Sequence, residues 1–290
     1  MVQKLANSKV GIVPLNWKYS PDHKRDFLAG LAGYGFKGIQ ISGAQAESLE
    51  FLDLMAEYDI APAEQYLDIR CDVNGPVPGS EAKSAETVRQ AALAGVEMLV
   101  FAVDGSDDRD RCAGKAASGP QLTDTAFQKL ADHIDKFAKI ASQHGIASAF
   151  HPHAATYIET DVETKKLMAL LNADLVGVCL DVGHWLVGGG DPIKAVHDFG
   201  TRISHVHVKD VSEDVLGRML SGEIETMHRA VEEFKLFVPA GTGLLNLQEL
   251  FSSLHEVGYA GWLMSEQDSA WEPSEAASGI SMENIQRALL

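Results

Sequence analysis

Eight short apolar runs, partly β-branched, recur along the 290-residue chain, with stretches of helical period between most of them. They cover residues 9–15, 38–42, 60–66, 98–103, 146–151, 175–181, 203–208 and 261–266. Runs of this kind suit strands buried on both faces, the condition of a parallel sheet covered by helices. The intervening stretches are 22–33, 47–58, 84–94, 125–144, 162–171, 192–199 and 247–257. In 125–144 the residues Phe127, Leu130, Ala131, Ile134, Phe137, Ala138 and Ala141 form one apolar stripe. Asp191-Pro192 places a capping acid and then proline at a helix start, and Gly33, Gly95, Gly145 and Gly258 sit where helices should stop. Eight strand-like runs, seven of them followed by a helical stretch, predict a (β/α)8 TIM barrel, one α/β domain spanning 1–290. A doubly wound sheet is the competing architecture, but no Gly-x-Gly-x-x-Gly follows the first run. Residues 211–243 read as an irregular connection far longer than the ~2–6 residues usual there. In a barrel that segment lies on the catalytic face, as a lid, a pocket wall or a solvated insertion.

Four of the runs end in acids and imidazoles. Their tails are Phe150-His-Pro-His153, Leu180-Asp-Val-Gly-His184, His205-Val-His-Val-Lys-Asp210 and Met264-Ser-Glu-Gln-Asp268. A barrel draws metal ligands and proton-transfer groups from the ends of different strands, so four such endings predict a metal-dependent site. Asp181 leaves a buried strand; it either caps the next helix or faces that site. His205 and His207 alternate and share one strand face. Either His151 or His153 is a candidate ligand. Glu266, buried, needs a cation or a basic partner. Asp181, Glu266 and one imidazole would form a mixed oxygen and nitrogen set suited to Mn2+, Co2+ or Fe2+ rather than Ca2+. Lys209, if it points inward, is a proton donor or an oxyanion-stabilising cation. Glu159 is a candidate contact for a substrate hydroxyl, with a helix-start acid as the plainer role. Trp17, Trp185 and Trp262 could offer ring faces to a sugar or could simply pack. The Gly188-Gly-Gly190 and Gly241-Thr-Gly243 runs could hold an anion through backbone amides.

The formal charge of −17 argues against a nucleic-acid or anionic-membrane partner, since both need basic patches. No apolar run approaches the ~18 residues of a membrane helix. Cys71, Cys112 and Cys179 form no close pair, which fits free thiols in a reducing compartment. Met1-Val-Gln-Lys-Leu-Ala-Asn-Ser-Lys9 lacks the apolar core of a signal peptide, so a cytoplasmic location is expected.

The segments Leu180-Asp-Val-Gly-His184, His205-Val-His-Val-Lys-Asp210 and Gly258-Tyr-Ala-Gly-Trp-Leu-Met-Ser-Glu266 resemble the xylose-isomerase-like barrel superfamily of sugar isomerases, epimerases and dehydratases. Gly11-Ile-Val-Pro-Leu-Asn-Trp17, His151-Pro-His-Ala-Ala-Thr-Tyr-Ile-Glu-Thr160, Gly189-Gly-Asp-Pro192 and Phe237-Val-Pro-Ala-Gly-Thr-Gly243 are similar to its inosose (2-keto-myo-inositol) dehydratase branch. The resemblance implies a divalent metal, foremost Mn2+, on Asp181, His207 and Glu266. Its fourth ligand position, usually glutamate, reads His151 here. It further implies a hydro-lyase acting on a small cyclic keto-polyol, with a sugar isomerase or epimerase as the alternative. Glu266, His151 or His153 would be the base. His184, Lys209 or the remaining imidazole would be the acid. His184, Glu159 and Trp17 would contact substrate. Barrels of this kind often associate, so a homo-oligomer is compatible with it.

Overall fold

The expected strands pair in chain order. In a computed structural model describing residue 5 and residues 8–290, they are β1 (Val10–Val13), β2 (Gly38–Gln40), β3 (Ala61–Ile69), β4 (Met98–Val103), β5 (Ala147–Phe150), β6 (Val176–Asp181), β7 (Ile203–Val208) and β8 (Leu263–Glu266). All neighbouring pairs are parallel, and β1 closes onto β8, giving a closed (β/α)8 barrel. Most of the segment Met1–Lys9, read above for a signal sequence, lies outside the described residues. Eight main helices follow the strands: α1 (Lys24–Tyr34), α2 (Leu49–Glu57), α3 (Ser80–Ala94), α4 (Asp124–Gln143), α5 (Asp161–Leu170), α6 (Pro192–Phe199), α7 (Leu247–Glu256) and α8 (Ser274–Leu289). Asp191 accepts from the Ile193 and Lys194 amides at the start of α6, as the Asp-Pro pair predicts.

The principal core lies between the outer faces of the strands and the helices. The α4 stripe is part of it, with Leu130, Ile134 and Ala138 fully buried. Inside the barrel two smaller apolar groups, Val13, Ala63, Trp262 and Met264, and Met98, Val100, Ala149 and Cys179, carry the polar layer described below. Trp262, buried there, donates to Glu97, and Trp185 packs edge-on against Phe199, so both are packing residues.

Two expectations change. The stretch 211–243 is not irregular: it holds helices Glu213–Ser221 and Met227–Glu232 and an antiparallel ribbon of Asp210–Val211 with Phe237–Val238. These pieces are too short to show a period, yet Val211, Val215, Met219, Met227 and Phe237 join a separate apolar cluster with Ala113, Ala154 and Val187. The segment is thus packed at the C-terminal end of the barrel. The anion held by Gly241-Thr-Gly243 is internal. The Asp210 carboxylate accepts from the amides of Val211, Gly241, Gly243 and Leu245 at 2.8–2.9 Å.

Candidate metal centre

Period-two alternation continues past the strand ends and builds the site in layers. Strand register sets Cys179 beside His205, Asp181 beside His207, and His207 beside Met264, just below Glu266. One donor atom from each of His151, Asp181, His207 and Glu266 lies within 4.8 Å of the others, and all four side chains are largely buried. Asp181 fulfils both of its expected roles. One oxygen accepts from the His184 amide at 2.8 Å and caps the helix Val182–Val187. The other oxygen faces His151 Nε2 at 3.3 Å and His207 Nδ1 at 3.6 Å.

The donor set fits a divalent cation. His207 Nδ1 and Glu266 Oε2 are 2.7 Å apart outside hydrogen-bond alignment, and although burial opposes it, the surrounding negative groups, Glu64 and Glu266 among them, push the His207 pKa well above its ordinary value. A cation would replace the Nδ1 proton and satisfy the imidazole and the carboxylates together, as buried polar atoms require. Burial lowers the His151 pKa to about 4, only partly opposed by the hydrogen bond to Asp181, which leaves a neutral ring able to ligate.

Lys209 is two residues beyond His207, so it continues the same inward face. Its fully buried ammonium lies 3.1 Å from Asp181, 3.3 Å from Glu266, 2.9 Å from Asp268 and 2.8 Å from His184 Nε2. Burial alone would lower its pKa; the carboxylates of Asp181, Asp268 and Glu266 outweigh that and raise it. The reciprocal effect holds Asp181 well below the usual carboxylate range despite its burial. For Glu266 burial prevails over Lys209 and His207, and its pKa is raised. Room for the lysine stem explains Gly183: a Cβ there would stand 2.6–2.9 Å from the Lys209 side-chain carbons.

His153 and His184 stack above the cluster with ring centroids 3.5 Å apart, and Phe237 lies edge-on to His184. His153 Nδ1 contacts the Ala154 carbonyl at 2.7 Å, which assigns the proton to Nδ1 and leaves Nε2 free. Burial and the neighbouring imidazoles hold His153 well below its ordinary pKa. Glu159 is placed differently. Its carboxylate accepts from the amides of Gly114 and Ala155 at 2.8 Å each, leaving neither oxygen directed to the cluster by any contact. Trp17 packs edge-on to Phe27 and Tyr34 and donates to Ser278; none of these partners belongs to the cluster.

Two residues escaped the sequence reading. Asp268 lies one period beyond Glu266, a spacing that the alternation itself signalled. Glu64 lies on β3, fully buried, and its Oε2 meets His207 Nε2 at 2.9 Å and also His205 Nε2. Burial would raise its carboxyl; His207 and His205 together hold it well below the ordinary range. An acid in a strand-like run that is otherwise apolar except for Gln65 was the available clue.

The chain matches the xylose isomerase-like TIM barrel family over residues 28–288. An inosose dehydratase of Clostridium beijerinckii is 26% identical over 283 residues, covering 90% of this chain and 91% of that one. One of Geobacillus kaustophilus is 33% identical over 169 residues, 58% of this chain and 54% of that protein, so this match spans about half the relative's length. The crystal structure of IolI with a bound zinc atom superposes with a TM-score of 0.67 at 16% identity, covering 97% of this chain and 96% of that one, a likeness of fold. With nearly the whole sequence matched and the barrel closed in strand order, this chain belongs to the xylose isomerase-like TIM barrel family.

Proposed function

We propose that this protein is a metal-dependent hydro-lyase that removes water from a cyclic keto-polyol such as 2-keto-myo-inositol. The observation that carries the reading is the buried convergence of His151, Asp181, His207 and Glu266 beneath the stacked imidazoles of His153 and His184. Two nitrogen and two oxygen donors suit Mn2+, with Co2+ or Fe2+ as close alternatives. The inosose dehydratases among the relatives support the substrate class. When bound, the cation supplies a Lewis acid for the ketone oxygen and the hydroxyl beside it.

The chain's own groups then divide the proton transfers. His153, neutral and with Nε2 unprotonated, takes the proton from the carbon next to the ketone. Electrons of that C–H bond form the new C=C bond as the β-hydroxyl leaves. His184 accepts from Lys209 through Nε2, so its Nδ1 carries a proton, which passes to the departing hydroxyl to make water. Tautomerisation of the resulting enol gives a deoxy-dione. Lys209 remains charged between Asp181, Glu266 and Asp268 and offsets negative charge developing at the ketone oxygen. Phe237, against His184, limits water at the reacting face.

Isomerases and epimerases of the superfamily resemble one another in moving a proton with a pair of metal-bound glutamates. Here the corresponding fourth position is His151, which favours elimination. A proton NMR time course of 2-keto-myo-inositol with metal-stripped protein, before and after Mn2+, tests the reading. Metal-dependent water loss to a deoxy-dione is expected. Exchange of the α-proton without water loss would overturn it in favour of an isomerase or epimerase.

A further inference from the structure

The interior of a TIM barrel is ordinarily filled by layers of Val, Ile and Leu. Glu64 breaks that pattern at the base of the cation-binding layer, fully buried among residues of three other strands. Its arrival there is built into the backbone. Between β2 and β3 the register shifts, so that Ile39 pairs with Pro62 and Gln40 with Glu64, skipping Ala63. Such a bulge re-aims a side chain; here it lets Glu64 turn inward although the preceding Ala63 also faces the barrel interior.

Inside, a single oxygen of Glu64 meets both His205 Nε2 and His207 Nε2, the latter at 2.9 Å. An ionised carboxylate can only accept, so each of these nitrogens carries its hydrogen. The consequence differs for the two rings. His205 Nδ1 has no hydrogen-bond partner among the described residues, whereas His207 Nδ1 points at Glu266 Oε2, 2.7 Å away, and at Asp181 Oδ2, 3.6 Å away. With Nε2 donating to Glu64, Nδ1 is the nitrogen that His207 can offer to an ion, and it is aimed into the four-donor cluster.

We infer that Glu64 is a positioning residue for the cation: it fixes His207 in the Nε2–H tautomer and turns the Nδ1 lone pair toward the ion. This rests on the metal reading above and adds a residue that touches neither ion nor substrate. An outer carboxylate that orients a ligating imidazole raises its basicity and rigidity, and its loss typically weakens metal binding roughly 10–100-fold. A purely structural Glu64 would instead affect stability and leave the affinity of the folded protein unchanged.

The test uses the full chain and Zn2+ as a diamagnetic probe. Zn2+ affinity is measured by chelator competition for the unsubstituted protein, Glu64→Gln and Glu64→Asp, with urea unfolding followed in parallel. Glu64→Gln, which retains shape and one acceptor oxygen without the charge, is expected to lose roughly 10–100-fold in affinity. Glu64→Asp is expected to fall between it and the unsubstituted protein. Long-range 1H–15N NMR of the unsubstituted, zinc-loaded protein, which needs no variant to fold, should show His207 bound through Nδ1 and protonated at Nε2. Zinc on Nε2 of His207, or unchanged affinity in folded Glu64→Gln, overturns the inference while leaving the cation site standing. An unsubstituted protein that binds no Zn2+ removes the metal reading and this inference together.

Discussion

Replacing Lys209 with methionine isolates the largest electrostatic debt in the barrel. Methionine keeps much of the aliphatic stem beside Gly183 but removes an ammonium that lies 2.9–3.3 Å from Asp181, Glu266 and Asp268. At an effective dielectric of about 20, each contact near 3 Å is a gross attraction of about 5 kcal/mol. Most of that is offset by the several kcal/mol needed to desolvate each ion. The variant leaves the acids buried without their cation, a change that ordinarily destabilises by about 3–5 kcal/mol. Urea unfolding at neutral pH should therefore show a lower midpoint at unchanged m-value. The loss should persist at high salt, because buried charges are screened far less than surface ones. Adding Mn2+ should narrow the gap between the two proteins: the variant retains the acids of the cluster and lacks a competing positive charge. A Lys209→Met protein as stable as the parent would refute the reasoning, since it would mean that the three carboxylates do not depend on the ammonium.

Four further outcomes are expected. Glu266→Gln should fold normally, bind less divalent metal by elemental analysis and lose turnover; near-normal turnover would remove Glu266 from the site. Gly183→Ala drives a Cβ to within 2.6–2.9 Å of the Lys209 stem, so a loss of about 1–3 kcal/mol from overpacking should accompany reduced turnover, read by thermal melt and assay. Asp210→Asn replaces a charged acceptor of four amides, and hydrogen exchange at Gly241, Gly243 and Leu245 should accelerate. Glu159 has its pKa raised to about 7, chiefly by burial, with the Ala155 and Gly114 amides opposing. A raised acid contributes stability that is complete below its unfolded pKa near 4.5 and is lost as pH climbs through 7. Urea midpoints should thus fall between pH 5 and 7 in the parent relative to Glu159→Gln, by up to about 1.4 kcal/mol per pH unit. Parallel profiles for the two proteins would contradict this.

Much of this architecture was legible because the dominant forces act locally. A doubly buried parallel strand must be apolar over its own length, and the eight runs met that condition within a few residues of the observed bounds. Among the main helices α4, α6 and α7 carried both an apolar stripe and a side-chain cap, whereas α8 is a run of small and polar residues with little sidedness. Helices Glu213–Ser221 and Met227–Glu232 were invisible because two turns cannot establish a period, and their burial depends on Ala113, Ala154 and Val187 from elsewhere in the chain. The strand endings alone narrowed the cluster to Asp181, Glu266, one of His151 and His153, and the His205 and His207 pair; the family resemblance picked out His151 and His207. Lys209 and Asp268 required only that the alternation be carried two residues further, since nothing in a strand's last turn obliges it to stop at the final paired residue.

Glu64 belongs to a different category. Its identity as an acid in an apolar run is visible in the sequence, but its inward direction depends on a register shift between β2 and β3, a property of two strands rather than one. Once that shift is made, the rest follows from elementary chemistry. A buried carboxylate must find donors, and the donors nearest to it are the paired imidazoles of β7. An imidazole that donates from one nitrogen offers its lone pair from the other. The orientation of His207 toward the cation cluster is therefore determined from below, by a residue on a distant strand, before any ion or substrate arrives from above.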